Sequence, residues 1–117
     1  MSLLDHISQN LYTAVLSDSL DSLGHRRQAM RENIRPVYSK YQVIAGYAHT
    51  IAFVDSNEIL VNPFDAEIEA VDAIERDSIV VIATGNSIQN APWGELLSTA
   101  SVARGARGAG RMYSRMT

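Results

Sequence analysis

The sequence has no cysteine, a single lysine and no apolar run that approaches the roughly 18 residues of a membrane helix. The absence of cysteine excludes a disulfide scaffold, a thiolate metal site and a cysteine nucleophile, and it suits a reducing compartment. The N-terminal stretch, MSLLDHISQN, lacks the basic start and apolar core of a signal peptide. We therefore expect a cytoplasmic protein that does not enter a membrane.

Acidic side chains are missing from the C-terminal part of the chain. Positions 1–95 hold all 13 acids and six of the ten bases, whereas positions 96–117 hold four arginines and no acid. These arginines are Arg104, Arg107, Arg111 and Arg115, and they have few aromatic neighbours. Charge alone leaves both a nucleic acid and a small anionic ligand open as partners.

What is present is the composition of a small folded domain. Of the 117 residues, 46% are hydrophobic and 20% are charged, which argues against global disorder. This length can bury one hydrophobic core and leaves little room for a second. We therefore predict a single domain over residues 1–117.

Three segments show the spacing of apolar side chains that predicts helices. They are residues 3–24, with a break near Asn10 and a stop at Gly24, residues 65–75, and residues 93–104, which Gly105 and Gly108 end. The acids of residues 65–75 are expected to form a solvated face. The polar composition of residues 25–40, which include Pro36, predicts a loop, or a short helix followed by a linker.

Two segments are rich in β-branched residues, which favours strands. Residues 43–54 predict one long strand or two short ones, with Gly46 as a bulge or a point of close approach. Ser78–Thr84 is a continuous apolar run, typical of a strand buried on both faces. The order helix, strand, helix, strand, helix and a short remainder indicates the α/β class.

The segment after the second predicted strand is the best candidate for chemistry. In α/β sheets, ligands bind beyond the carboxyl ends of strands, near helix N-termini. A helix that begins near Trp93 would offer backbone amides to an anion such as a carboxylate, and Gly94 would let that ligand approach closely. Glu95 also fits an ordinary acid in the first turn of a helix, so spacing alone leaves its role open.

The other signals are weaker. His6, His25 and His49 show no metal-ligand spacing. The glycine-rich residues 105–110 follow a helix instead of a strand, which argues against a phosphate-binding loop. Composition and spacing thus predict a soluble α/β domain with one candidate anion site.

The string WGELLSTA at Trp93–Ala100, followed by ARGARG at Ala103–Gly108, closely resembles the core motif of the RraA-like family. Residues 12–21, 44–50 and 79–85 resemble the family's opening helix, its first strand and the strand before its site. The family includes the 4-hydroxy-4-methyl-2-oxoglutarate and 4-carboxy-4-hydroxy-2-oxoadipate aldolases. The resemblance covers nearly the whole chain.

The resemblance implies a β-sandwich-like core with flanking helices, assembled as a homotrimer or a dimer of trimers with the active site between subunits. It also implies a divalent-metal-dependent aldolase or decarboxylase that uses magnesium or manganese and releases pyruvate from hydroxylated oxo-acids or oxaloacetate. A metal ion would stabilise the pyruvate enolate as a Lewis acid. Since Arg104 and Arg107 belong to the family motif, the basic end is not taken as a nucleic-acid site.

Carried over position by position, the resemblance implies a substrate site made of Gly94, Glu95, Leu96, Leu97 and Arg115. The amides of Leu96 and Leu97 would hold the pyruvate carboxylate. Glu95 would orient water on the metal and Arg115 would neutralise developing oxyanion charge, so these two are the predicted catalytic residues. The direct metal ligand, an aspartate in the family, corresponds to Met116, whose thioether is a poor ligand for a hard cation.

The family pattern holds until residue 110 and then fails, with Arg111 and Met116 where the family has aspartates. Relatives continue with further strands and helices. Two interpretations follow: a truncated or degenerate member that cannot hold a metal, or a normal member represented incompletely or imperfectly at its C-terminal end. We favour the second.

Two other functions follow from the resemblance. Some relatives are non-catalytic regulators that bind ribonuclease E and inhibit its RNA processing, and loss of the metal aspartate suits that role. A methyltransferase acting on menaquinone precursors ranks last, because the sequence lacks a glycine-rich strand-to-helix loop for a methyl-donor nucleotide.

Overall fold

The computed structural model of the chain describes residues 1–32, 34, 43–85, 87 and 89–112. The chain divides into two compact units, residues 1–46 and 47–117. The first unit contains helices α1 (Leu3–Asn10) and α2 (Thr13–Ser22). No helix in the described ranges is long and apolar enough to cross a membrane.

Local capping and a glycine determine where the first two helices begin and end. The Ser2 hydroxyl accepts a hydrogen bond from the Asp5 amide, and the Asp5 carboxylate accepts one from the Ser2 amide, which forms a capping box at the start of α1. Leu11 is extended, so the predicted break near Asn10 is confirmed. Gly24 has a φ of 88° after α2, which confirms the predicted stop. Residues 25–32 contain no helix, and most of 33–42 lies outside the described residues.

The second unit is a parallel sheet with two helical connections. Its elements are β1 (Tyr47–Ala52), α3 (Asp65–Asp72), β2 (Ser78–Ala83), α4 (Glu95–Ala103) and β3 (Gly108–Met112). The strand order is β1-β2-β3, and β2 pairs in parallel with both neighbours. Helix follows strand in regular alternation, so the predicted α/β class agrees with this mixed helix and strand architecture.

The core lies between one face of β2 and the two helices α3 and α4. Val80 and Ile82 of β2 are fully buried, and they contact Val71 and Ile74 from the α3 segment. Leu97 and Ala100 of α4 pack against this cluster, as do Ile51, Phe53, Trp93 and Ala106. The apolar spacing of residues 65–75 is thus confirmed at Val71 and Ile74, whereas Ile68 is 56% exposed.

The structure corrects several details of the predicted elements. The remainder after Gly105 is a third strand, β3, whose small residues Gly108, Ala109 and Gly110 have little strand propensity and are held by pairing with β2. Gly46 precedes β1 instead of forming a bulge within it. Along β2, burial alternates between full and partial, so one face is less covered than predicted.

The predicted β-sandwich would need two sheets packed face to face. The described residues form one three-stranded sheet. Because the described ranges contain no second sheet, the sandwich stays a prediction from the family resemblance.

Truncation of a buried β2 side chain should destabilise the second unit strongly. Ile82 is 1% exposed, and Ile82→Ala should lower the free energy of unfolding by about 2–5 kcal/mol because it leaves a cavity in the core. Ile79→Ala is the matched control in the same strand, since Ile79 is only partly buried. Urea unfolding followed by circular dichroism measures both, and equal losses would contradict the one-sided core.

Candidate functional site

The carboxyl ends of the three strands meet at one edge of the sheet. Ala83, the last residue of β2, pairs with Ala52 of β1 and with Met112 of β3. The side-chain amide of Asn90 donates a hydrogen bond to the carboxylate of Asp55, which joins the loop after β2 to the loop after β1. This is the edge at which α/β sheets bind ligands.

Helix α4 begins beside this edge without a capping side chain. Gly94 is the N-cap residue, with extended backbone (φ −156°, ψ −168°), and no side chain of the described residues bonds the first amides of the helix. These amides belong to Glu95, Leu96 and Leu97, and the first helical hydrogen bond joins Ser98 N to Gly94 O at 3.0 Å. Because initial amides lack helical partners, they can bind an anion with help from the helix dipole.

The space in front of Gly94 is open. A Cβ placed on Gly94 would meet no atom of the described residues within 4 Å. Glu95 and Leu96 are exposed, and Leu97 packs against the core. The predicted residues Gly94, Glu95, Leu96 and Leu97 therefore form one accessible turn, in agreement with the helix start predicted near Trp93.

Two side chains of the WGELLSTA motif, to which the sequence assigned no role, hold this turn. The indole Nε1 of Trp93 donates a hydrogen bond to Ser98 Oγ at 2.8 Å. Ser98 Oγ in turn donates to the carbonyl oxygen of Gly94 at 2.9 Å. A serine four residues after a helix start is a usable signal, because serine hydroxyls commonly bond the carbonyl four residues back. The partnership with Trp93 has no such local rule.

An apolar groove lies between α3 and α4, next to this turn. Its volume is about 500 Å³, and its lining residues are Phe64, Glu67, Ile68, Val71, Asp72, Leu96, Leu97 and Ala100. Phe64 and Leu96 are 65% and 85% exposed. An exposed apolar groove with two carboxylates at its border is a candidate surface for binding another molecule.

The motif arginines Arg104 and Arg107 act at the opposite edge of the sheet. Arg107 Nε is 2.7 Å from Asp77 Oδ1, and the Arg107 backbone amide donates to Ser78 O at 2.7 Å. Arg104 Nε donates to Ile74 O at 3.1 Å. These bonds tie the segment after α4 to the segment before β2, so both arginines stabilise the fold at the amino ends of the strands.

Asp77 is the centre of that junction. Its φ of 66° lies in the left-handed region, which aspartate tolerates better than most residues. Its backbone amide donates to Gly105 O at 2.9 Å, and its carbonyl oxygen accepts from Tyr47 N at 2.9 Å. Sequence reasoning missed Asp77 because its partners are about 30 residues away in the chain.

The described residues do not fit a divalent-cation site. Within them, no group of three His, Cys, Asp or Glu side chains lies close enough to hold a metal ion. Glu95 is a single exposed carboxylate at the positive end of a helix dipole, which disfavours a cation, whereas magnesium needs several oxygen ligands. His49 lies in β1 with Nε2 2.9 Å from Ala70 O, so it links β1 to α3.

Two predicted site residues cannot be placed. Arg115 and Met116 lie outside the described residues. The described chain reaches Met112, which pairs with the end of β2 at the same edge as the loop that leads to α4. The structure thus brings together Gly94 to Leu97 and leaves the contribution of Arg115 as a prediction.

Comparison with known proteins gives one match. The family model RraA-like, described as Aldolase/RraA, matches residues 13–109. The chain belongs to the RraA-like family. Neither the search of curated proteins nor the search of solved structures returns a significant match. The family match covers β1, α3, β2 and α4, and thus the whole turn from Gly94 to Leu97.

The Arg107–Asp77 pair should contribute measurably to stability. Its side chains are 22% and 35% exposed, so Arg107→Gln should lower the free energy of unfolding by about 1–2 kcal/mol through loss of a charge-assisted hydrogen bond. Arg26→Gln, an exposed arginine in the other unit, is the control. A double-mutant cycle with Asp77→Asn should show coupling, and additive losses in urea unfolding would contradict a direct interaction.

Proposed function

We propose that this RraA-like chain is an oxo-acid aldolase or decarboxylase that binds the carboxylate of its substrate at the start of α4. Its substrates would be 4-hydroxy-4-methyl-2-oxoglutarate-type acids or oxaloacetate, with pyruvate as a product. The observation that carries the proposal is the uncapped, accessible turn from Gly94 to Leu97 at the carboxyl edge of the sheet, within the matched family region.

The turn suits one end of a 2-oxo acid. A carboxylate in front of Gly94 would accept hydrogen bonds from the amides of Leu96 and Leu97, and the helix dipole would offset its charge. Anchoring the carboxylate fixes the position of the adjacent oxo group. This orientation aligns the scissile carbon–carbon bond relative to the groups that receive its electrons.

Cleavage then needs charge stabilisation and proton transfer. In the aldol cleavage the C4 hydroxyl gives its proton to water and becomes the carbonyl of the second oxo-acid, whereas in the decarboxylation the C4 carboxylate leaves as carbon dioxide. In both reactions the electrons of the broken C3–C4 bond move to the C2 oxo oxygen and form the pyruvate enolate, which is later protonated at C3. We assign Arg115 to offset that oxyanion charge and Glu95, exposed at the first helical position, to orient the water that exchanges protons. Glu95 is suitably exposed for this task, and the role of Arg115 rests on the family resemblance.

Metal dependence and oligomeric state also rest on the resemblance. Magnesium is usually held by one or two carboxylates together with waters, and the described residues gather no cluster of metal-ligating side chains around Glu95. Assembly as a homotrimer or a dimer of trimers is likewise part of the proposal.

Pyruvate release is the direct test of this function. The protein is mixed with 4-hydroxy-4-methyl-2-oxoglutarate or with oxaloacetate, in added magnesium or in chelator, and pyruvate is measured by a coupled dehydrogenase assay. Turnover above the protein-free rate, reduced by Glu95→Gln, is the expected result. Absence of turnover on both substrates by the complete protein would overturn the enzymatic proposal.

A new capping side chain at Gly94 should compete with the ligand. In Gly94→Ser the hydroxyl can accept from the first amides of α4, as Ser2 does in α1, so affinity for pyruvate should fall about tenfold while stability stays within a few tenths of a kcal/mol. Isothermal titration and urea unfolding measure the two effects. Ala91→Ser, exposed in the same loop, is the control. Unchanged affinity in Gly94→Ser would place the carboxylate elsewhere.

The second candidate function is a non-catalytic regulator that binds ribonuclease E. The groove between α3 and α4 favours it, because exposed Phe64, Ile68 and Leu96 form an apolar surface of the kind that binds proteins. Capture of the ribonuclease by the protein, lost in Leu96→Ser and combined with absent oxo-acid turnover, would support the regulator. Turnover without capture would exclude it.

A further inference from the structure

Helix α4 is held at its start in a different way from the other described helices. In α1 the N-cap side chain of Ser2 occupies an amide of the first turn. Helices α2 and α3 also begin without a capping side chain, but the residues before their N-caps, Leu11 and Pro63, carry no hydrogen-bonding side chain. In α4 the residue before the N-cap is Trp93, and it bonds Ser98, the fourth helical residue.

We propose that Trp93 and Ser98 are positioning residues that hold the first turn of α4 while leaving its amides available to a ligand. The proposal rests on the carboxylate site proposed above. The two hydrogen bonds from Trp93 Nε1 to Ser98 Oγ and from Ser98 Oγ to Gly94 O are called the staple. A hydrophobic contact between these same two helix positions is a known way to fix the entry of a chain into a helix, and here a hydrogen-bonded pair takes its place.

The direction of the staple is determined by its chemistry. An indole N–H can only donate, so Ser98 Oγ must accept from Trp93 and its own hydrogen is left for the Gly94 carbonyl oxygen. Gly94 O also accepts from Ser98 N at 3.0 Å. Two donors from one residue therefore hold the Gly94 carbonyl, and the hydroxyl is polarised by the indole.

The staple is anchored in the hydrophobic core. Trp93 packs against the hydrophobic core, so its indole has a defined position. Glycine at the N-cap is conformationally free and has no side chain to order the turn. A capping serine or aspartate would order the turn but would occupy the amides. The staple orders the same turn through its carbonyl group, and among the described residues no side chain competes for the amides of Leu96 and Leu97.

Three variants test this assignment. Trp93→Phe keeps the aromatic packing and removes the donor, and Ser98→Ala removes both hydrogen bonds. The matched control is Ser101→Ala, because Ser101 Oγ donates to Leu97 O at 2.7 Å in the same helix and has no bond to Trp93 among the described contacts. Ser98→Thr keeps the hydroxyl and serves as the rescue.

Binding of pyruvate, followed by nuclear magnetic resonance titration, is the first readout. We expect Trp93→Phe and Ser98→Ala to weaken binding about 3- to 10-fold each, the range for one hydrogen bond. The double variant should lose no more than the larger single loss, since either change breaks the same staple. Ser101→Ala and Ser98→Thr should stay within about twofold of the wild type. In turnover, KM should rise more than kcat falls.

Hydrogen exchange of the Ser98 backbone amide is the second readout, and it needs no ligand. Its protection should fall in Trp93→Phe and Ser98→Ala but not in Ser101→Ala. Wild-type affinity and protection in the first two variants would overturn the proposal, and so would an equal loss in Ser101→Ala. If the wild-type protein binds no pyruvate, the proposed function is overturned, and so is the role of Trp93 and Ser98 in ligand binding. The hydrogen-exchange pattern of the Ser98 amide would then decide by itself whether the staple holds the turn.

Discussion

The parallel pairing of β2 with both of its neighbours is the constraint on which the second unit depends. Val80 and Ile82 bury one face of β2 against α3 and α4, while the backbone of the same strand pairs with β1 and β3. Since all three strands run in the same direction, their carboxyl ends lie at one edge. Every candidate functional group that the structure describes lies at or beside that edge.

The polar groups at the two edges of the sheet have different tasks. At the amino edge, Arg104, Arg107 and Asp77 join the segments around β2 through hydrogen bonds to backbone and carboxylate groups. At the carboxyl edge, the start of α4 presents amides to open space in front of Gly94. Arg104 and Arg107 therefore stabilise the fold, and the proposed anion site consists of backbone groups that carry no charge of their own.

Two neighbouring surfaces at the start of α4 offer a way for a family with both enzymes and regulators to use one fold. The turn from Gly94 to Leu97 and the groove between α3 and α4 are neighbours, because Leu96 and Leu97 line the groove and supply the amides. A small carboxylate and a protein partner would use different parts of the same helix. Among the residues of the turn itself, Glu95 supplies the one carboxylate, and Glu67 and Asp72 lie along the adjoining groove.

Much of the local structure was predictable from the sequence because it depends on near neighbours. Apolar spacing predicted the helices, the β-branched run predicted β2, and Gly24 and the break near Asn10 marked helix ends. The start of α4 was predictable for the same reason, and the motif around Trp93 indicated the RraA-like family, which the match over residues 13–109 shows.

The sequence by itself therefore determined the elements from α1 to α4, their α/β order and the position of the candidate anion site. Only the tertiary structure decided that Gly108–Met112 is a strand, that Asp77 is the partner of Arg107, and that Trp93 holds Ser98. The strand forms because β2 supplies a pairing edge. The small residues of β3 have little strand propensity, so their sequence does not predict a strand. The Arg107–Asp77 pair joins residues 30 positions apart in the chain, and the bond from Trp93 to Ser98 depends on an indole that the core holds in place. No local spacing rule predicts the Arg107–Asp77 pair, and the known rule for the two helix positions of Trp93 and Ser98 describes an apolar contact instead of a hydrogen bond.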